Sequence, residues 1–126
     1  MDTGPNFLAV FKSEPNLITL KTGATLFKAG DPARYMFAVL SGKLRIFNGE
    51  TVYEDVGAGG VVGEMALIDH EPRSASVVAL TDCTLATIDE ARFLFLVHRT
   101  PSFSLDMMRL LTFRLRNMDV LEGQRR

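Results

Sequence analysis

One stretch of this sequence has side chains and spacing suited to chemistry. Between Gly57 and Val77, four glycines (57, 59, 60 and 63) fall within seven residues. Glycine admits positive φ and lets backbone approach a ligand closely. Gly63 runs into Glu64-Met65-Ala66-Leu67, all good helix formers. The pattern predicts a Gly-rich loop leading into a short helix, whose first N–H groups lack intrahelical partners and suit an anion. Arg73 follows Pro72, whose fixed φ stiffens the approach, and precedes the small residues Ser74-Ala75-Ser76. A guanidinium grips two phosphate oxygens in parallel, which a lysine cannot do. Glu64 is complementary, because an ionised carboxylate only accepts hydrogen bonds and so suits a sugar hydroxyl. Taken alone, Glu64 and Arg73 fit either a phosphate-and-sugar site or a structural ion pair.

The elements that must position these residues are short. Asn6 to Phe11 reads as a helix with Phe7, Leu8 and Phe11 inward, closed by Pro15. From Leu17 the texture changes to brief apolar or alternating runs broken by Gly, Asp, Asn and Pro. Leu17–Lys21, Thr25–Lys28, Tyr35–Leu40 and Leu44–Phe47 are strand candidates, with turns at Thr22-Gly23, Gly30-Asp31-Pro32 and Ser41-Gly42. Asn48-Gly49 is a strong hairpin signal, so Lys43–Phe47 is expected to pair with Thr51–Asp55. Ala75–Leu80 and Thr84–Ile88 are expected to form a last pair around Asp82. Strands at this spacing predict a mainly β fold, an antiparallel β-roll or jelly roll with flanking helices.

Beyond Asp89 the period becomes helical. Asp89 is a candidate N-cap for a helix over Glu90–His98. Pro101 introduces a longer helix from Ser102 to about Glu122, with Gly123 at its end. Its apolar residues, including Phe103, Met107, Met108, Leu110, Leu111, Leu115, Met118 and Leu121, cover an arc of roughly 160°, wider than the ~100° one buried face needs. Leu105 and Arg114 break the division between faces. The surplus fits deep burial, a partner subunit or a lid over a ligand.

Composition narrows the classes. The chain has 126 residues, 47% of them hydrophobic, which predicts one globular domain. A net charge of −1 argues against affinity for nucleic acid through a basic field. One cysteine, Cys83, excludes an internal disulfide and is expected in the core. Met1 to Phe11 lacks the features of a signal peptide, and no apolar run is long enough for a membrane span. A cytoplasmic protein is expected.

The run Gly63-Glu64-Met65-Ala66-Leu67 followed by Pro72-Arg73-Ser74-Ala75-Ser76-Val77 closely resembles the phosphate-binding cassette of cyclic-nucleotide-binding domains. That family includes the catabolite activator protein, protein kinase A regulatory subunits and cyclic-nucleotide-gated channels. Gly23 to Phe27, Gly30-Asp31, Tyr35 and Gly42 resemble the family's opening strands, and the Phe93–Pro101 and Leu111–Leu115 regions its closing helices. The resemblance implies that Glu64 holds a ribose 2′-hydroxyl and Arg73 the exocyclic phosphate oxygens. Backbone N–H groups of Met65, Ala66 and Ala75 would complete the cradle, with the Ser74 hydroxyl nearby. The last helix would swing over the purine as a lid. The implied ligand is cAMP, with cGMP as the alternative, and no catalytic cofactor is expected. Micromolar affinity corresponds to about 8 kcal/mol. Hydrogen bonds to charged groups contribute about 1.5–3 kcal/mol each, so backbone donors and purine burial must supply the remainder.

Departures from the family pattern imply a local packing change before Gly63 and an open base preference at the lid. Gly60-Val61-Val62 stands where many members carry an Asp and a larger residue before the Gly-Glu pair. Met118 and Asp119 take the place of the polar lid residues that the catabolite activator protein uses against adenine, which leaves base preference open. Only ten residues follow Arg116, too few for a helix-turn-helix reader. The expectation is therefore a stand-alone sensor over residues 1–126: an N-terminal helix (1–15), a β-roll (16–88) and lid or hinge helices (89–126) that signal to a protein partner or a second copy. Two other readings stand beside it. One is a module of the same fold that binds proteins and no nucleotide. The other is a cupin-like metalloenzyme, which His70 and His98, far apart in sequence and outside the strands, do not favour. No metal ligands and no enzymatic activity are expected.

Overall fold

The computed structural model describes residues 6–124, with side chains through Asn117. Eight strands follow a short helix α1 (Leu8–Phe11): β1 (Leu17–Leu20), β2 (Thr25–Phe27), β3 (Met36–Ser41), β4 (Leu44–Asn48), β5 (Thr51–Val56), β6 (Val61–Val62), β7 (Ser76–Ala79) and β8 (Cys83–Ile88). They form two four-stranded sheets, ordered β1-β8-β3-β6 and β2-β7-β4-β5. Every pairing is antiparallel. The chain crosses between the sheets at nearly every connection, which gives the expected β-roll. The exception is the β4–β5 hairpin at Asn48-Gly49, which forms as the sequence predicts, with Leu44 opposite Val56 and Asn48 opposite Thr51.

The expected pairing of the last two strands does not occur. β7 lies between β2 and β4, whereas β8 lies between β1 and β3 in the other sheet. The three residues between them turn a corner pinned to Lys43. Its carbonyl accepts from the Leu80 amide at 2.8 Å, and its own amide donates to the Thr81 hydroxyl at 3.0 Å. β6 was not foreseen, since its two residues sit inside the Gly-rich stretch.

Two cores share the sheet that holds β3 and β8. Phe37, Val39, Leu44, Val62, Val77, Cys83 and Leu85 fill the space between the sheets. Met36, Ala38, Ala86 and Ile88, the alternate residues of β3 and β8, face outward onto Phe7, Phe11, Leu96, Phe103, Met107 and Leu110 from the helices. Burial on both faces explains why β3 reads as a continuous apolar run instead of an alternating one. Phe103 packs edge-on to Phe7 and Phe11, with ring centroids 5.6 and 5.5 Å away. At α1 the inward residues are Phe7, just before its first turn, and Phe11. Leu8, also expected inward, is exposed, because a single turn presents only one face to the roll.

The helices α2 (Glu90–Arg99) and α3 (Ser102–Gln124) follow. Asp89 caps α2 by accepting from the Arg92 amide at 2.8 Å. Arg92 also forks onto Glu14, with both hydrogen bonds at 2.7 Å, tying α2 to the segment after α1. α3 extends past Gly123, one residue beyond the expected stop. Phe103, Met107 and Leu110 bury one stripe of α3, while Leu105, Met108 and Leu115 remain exposed. Among the described residues no helix is long and apolar enough to cross a membrane.

Candidate functional site

Gly63 ends β6 at φ +74°, a left-handed conformation that favours glycine. A methyl group there would also lie 2.6 Å from Arg73 Nη1 and 3.2 Å from the Tyr35 carbonyl oxygen. The residue is thus fixed both by backbone conformation and by the guanidinium beside it. The next four residues, Glu64–Leu67, form the expected short helix as one turn of 3-10 helix. In that turn the Ala66 amide donates to the Gly63 carbonyl at 3.2 Å, so this member of the anticipated cradle is engaged within the turn.

Arg73 is held by its own backbone. Its amide donates to the Asp31 carbonyl at 2.8 Å, and its carbonyl accepts from the Gly30 amide at 2.7 Å. The Gly30-Asp31 turn between β2 and β3 is therefore what aims the side chain. The guanidinium lies 4.0 Å above the Phe27 ring centroid and donates to the Tyr35 carbonyl at 2.9 Å and the Gly63 carbonyl at 3.3 Å. Its Nε is buried with no hydrogen-bond partner. Among the described residues no carboxylate lies within ion-pair distance of it. Burial lowers the Arg73 pKa, and the more distant charges of Glu64 and Asp31 only partly oppose that.

The structural ion pair between Glu64 and Arg73 that the sequence left open is therefore absent. Glu64, 7% exposed, receives a 2.6 Å hydrogen bond to Oε1 from Arg114 Nη1 instead. Arg114 also donates through Nε to Glu54 Oε1 at 2.9 Å, and through Nη2 to the Val61 carbonyl at 2.6 Å. Burial alone would depress the Arg114 pKa, but the charges of Glu64 and Glu54 and the bonds to them reverse that, raising it above the ordinary value. Sequence reasoning marked Arg114 only as a break in the apolar face of α3, and that break was the available signal for its role.

These groups enclose a cavity of about 260 Å³, near the lower end of small-molecule sites, roughly 300–1,000 Å³. Gly63, Glu64, Met65, Ala66, Arg73, Ser74 and Ala75, all anticipated from the sequence, line it together. Phe27, Ile46, Tyr53, Glu54, Leu111, Arg114, Leu115 and Asn117 complete the walls. The side chains of Met118 and Asp119 lie outside the described residues. Leu111, Arg114, Leu115 and Asn117 place one side of the last helix in the cavity wall. Among the described residues no group of three or more His, Cys, Asp or Glu side chains is arranged to hold a metal ion.

A β-roll whose cavity, walled on one side by a C-terminal helix, holds a desolvated guanidinium with no carboxylate partner has the form of a small-ligand-binding domain. Sequence comparison narrows the class: the profile of the cyclic nucleotide-binding domain matches residues 17–100, and the chain belongs to that family. It is 35% identical over 103 residues to the cyclic AMP receptor protein of Thermus thermophilus, covering 78% of this chain and 48% of that protein. The crystal structure of the Thermus thermophilus catabolite activator protein superposes with a TM-score of 0.77 at 30% identity, over 93% of this chain and 55% of that one. A protein solved in work on a cyclic-GMP-dependent signalling pathway in bacterial phytopathogenesis superposes with a TM-score of 0.75 at 28% identity, over 87% and 91% of the two chains. Across eight curated relatives this chain spans between 5% and 52% of their length.

Proposed function

We propose that this chain is a cyclic-nucleotide sensor, residues 1–126 acting as one unit that binds cAMP or cGMP in the cavity and signals through α2 and α3. The observation that carries this reading is Arg73, a desolvated cation on the cavity wall with a partnerless Nε and carbonyl oxygens in place of a carboxylate. A buried charge needs a counter-charge. A cyclic phosphate carries one negative charge and presents two oxygens to a guanidinium. Glu64 accepts the ribose 2′-hydroxyl on its second oxygen, Oε1 being taken by Arg114. Met65, Ala66, Ser74 and Ala75 surround the phosphate, with the Ala66 amide giving up its 3.2 Å turn bond on binding. α3 supplies the lid through Arg114 and the residues around it. Its readout is a protein partner or a second copy, through the exposed residues Leu105 and Met108.

Binding of this kind raises thermal stability. Ligand at 100 times its Kd stabilises the folded state by about 2.7 kcal/mol. The test is a melting series with cAMP, cGMP and the open-chain 5′-AMP. A concentration-dependent rise in Tm with a cyclic nucleotide that exceeds that with 5′-AMP supports the reading. No rise with either cyclic nucleotide, on protein freed of carried-over ligand, favours a protein-binding module with an idle pocket.

A further inference from the structure

The hairpin β4–β5 is irregular where it meets the cavity. Ile46 pairs with Glu54 and Phe47 with Val52, so Tyr53 is an extra residue on β5. A bulge of this kind breaks the alternation of side chains and re-aims them. The burial of β5 records it: Val52 and Asp55 are exposed, while the consecutive Tyr53 and Glu54 are both half-buried and both line the cavity. A regular strand would send one of them to the opposite face.

The contacts in the cavity run in one order. Arg73 touches Gly63, Glu64 follows in sequence, Arg114 bonds Glu64, and Glu54 bonds Arg114 from beyond it. Arg73, Glu64, Arg114 and Glu54 all line one cavity, so a cyclic nucleotide with its phosphate on Arg73 and its ribose on Glu64 would have its base directed toward Glu54. Glu54 keeps acceptor capacity there. Arg114 Nε takes one lone pair of Oε1 at 2.9 Å, and Nη2 reaches Oε2 only at 3.4 Å.

We propose that Glu54, turned into the cavity by the Tyr53 bulge, reads the base edge and makes the site prefer guanine to adenine. This rests on the cyclic-nucleotide reading of the cavity and names its ligand as cGMP. The chemistry follows from the carboxylate, which accepts and never donates. Guanine offers N1–H and the N2 amine side by side, two donors for two oxygens. Adenine offers one donor, the N6 amine, beside the N1 lone pair, which repels the carboxylate.

The experiment measures cGMP, cIMP and cAMP affinities on the wild-type protein and on Glu54→Gln by competition against one fluorescent cyclic nucleotide. The wild type should bind in the order cGMP, cIMP, cAMP, because inosine keeps N1–H and lacks the N2 amine. A bidentate contact of this type, at about 1–3 kcal/mol, discriminates by about 5- to 150-fold. In Glu54→Gln, whose amide offers one donor and one acceptor, the cGMP-to-cAMP ratio should fall by about tenfold or invert. A merely structural role for Glu54 through Arg114 would weaken both nucleotides together and leave the ratio unchanged, which overturns the proposal. Equal or tighter cAMP binding by the wild type overturns it without any variant. Binding of none of the three nucleotides overturns the reading of the cavity as well.

Discussion

Replacing Arg114 by Met tests the charge network that closes the cavity. The side chain is 11% exposed, and its partners Glu64 and Glu54 are 8% and 21% exposed. Removing one member of a buried ion pair leaves the other charge desolvated, which costs about 3–5 kcal/mol. Glu54 retains some access to water, so the low end, about 3 kcal/mol, is expected. Near 4 °C per kcal/mol for a domain of this size, Tm should fall by about 12 °C. Urea unfolding at neutral pH measures the loss directly. The diagnostic feature is a change of sign. Glu64→Gln should destabilise the wild type, where it removes a 2.6 Å charge-assisted bond. In the Arg114→Met background it should stabilise, because it neutralises an unpaired buried carboxylate. A loss below about 1 kcal/mol for Arg114→Met, in the range of an exposed pair, or additive effects in the double variant, would refute the argument.

Gly63→Ala should lower stability by about 1–2 kcal/mol from the left-handed backbone alone. It should also weaken cyclic-nucleotide binding by at least about tenfold, since the methyl displaces a guanidinium 2.6 Å away; binding within twofold of wild type contradicts this. Phe103→Ala removes the ring that joins α3 to Phe7, Phe11 and Phe93. It should cost about 3–5 kcal/mol by urea unfolding, and a loss under about 1 kcal/mol would mean that α3 is not anchored there. Asp82 accepts from the Thr22 amide at 2.8 Å and from its hydroxyl at 2.9 Å, and these bonds hold its pKa below the ordinary aspartate value. A carboxyl with a depressed folded-state pKa stabilises above its unfolded pKa and loses that contribution as pH falls through the folded one. The stability gap between wild type and Asp82→Asn should therefore narrow from pH 7 to below the aspartate range, and a constant gap would contradict it.

Local signals in the sequence were reliable where a local contact decides the structure. Asn48-Gly49 specified the β4–β5 hairpin, and Asp89 capped α2 through its own side chain. Cys83 packs in the inter-sheet core as its place in a strand pattern suggested. The cassette residues from Gly63 to Ala75 converge on one cavity. What escaped the sequence depends on distant partners. β7 and β8 look like a hairpin, but each pairs with strands some 30 to 70 residues away, and the corner that separates them is held by Lys43. The bulge at Tyr53 is visible only once β4 and β5 are in register. Arg114 stood out as a charge on an apolar arc, yet its partners lie 50 and 60 residues earlier in the chain.

The central claim is that Arg73 binds the phosphate of a cyclic nucleotide. Isothermal titration calorimetry of the wild type and Arg73→Ala with cAMP and cGMP tests it most directly. The account predicts binding at micromolar Kd or tighter for at least one nucleotide. Loss of one charge-assisted contact of about 1.5–3 kcal/mol should then weaken it at least tenfold in the variant. Absence of heat with both nucleotides on ligand-free wild type, or equal affinity in Arg73→Ala, would contradict it.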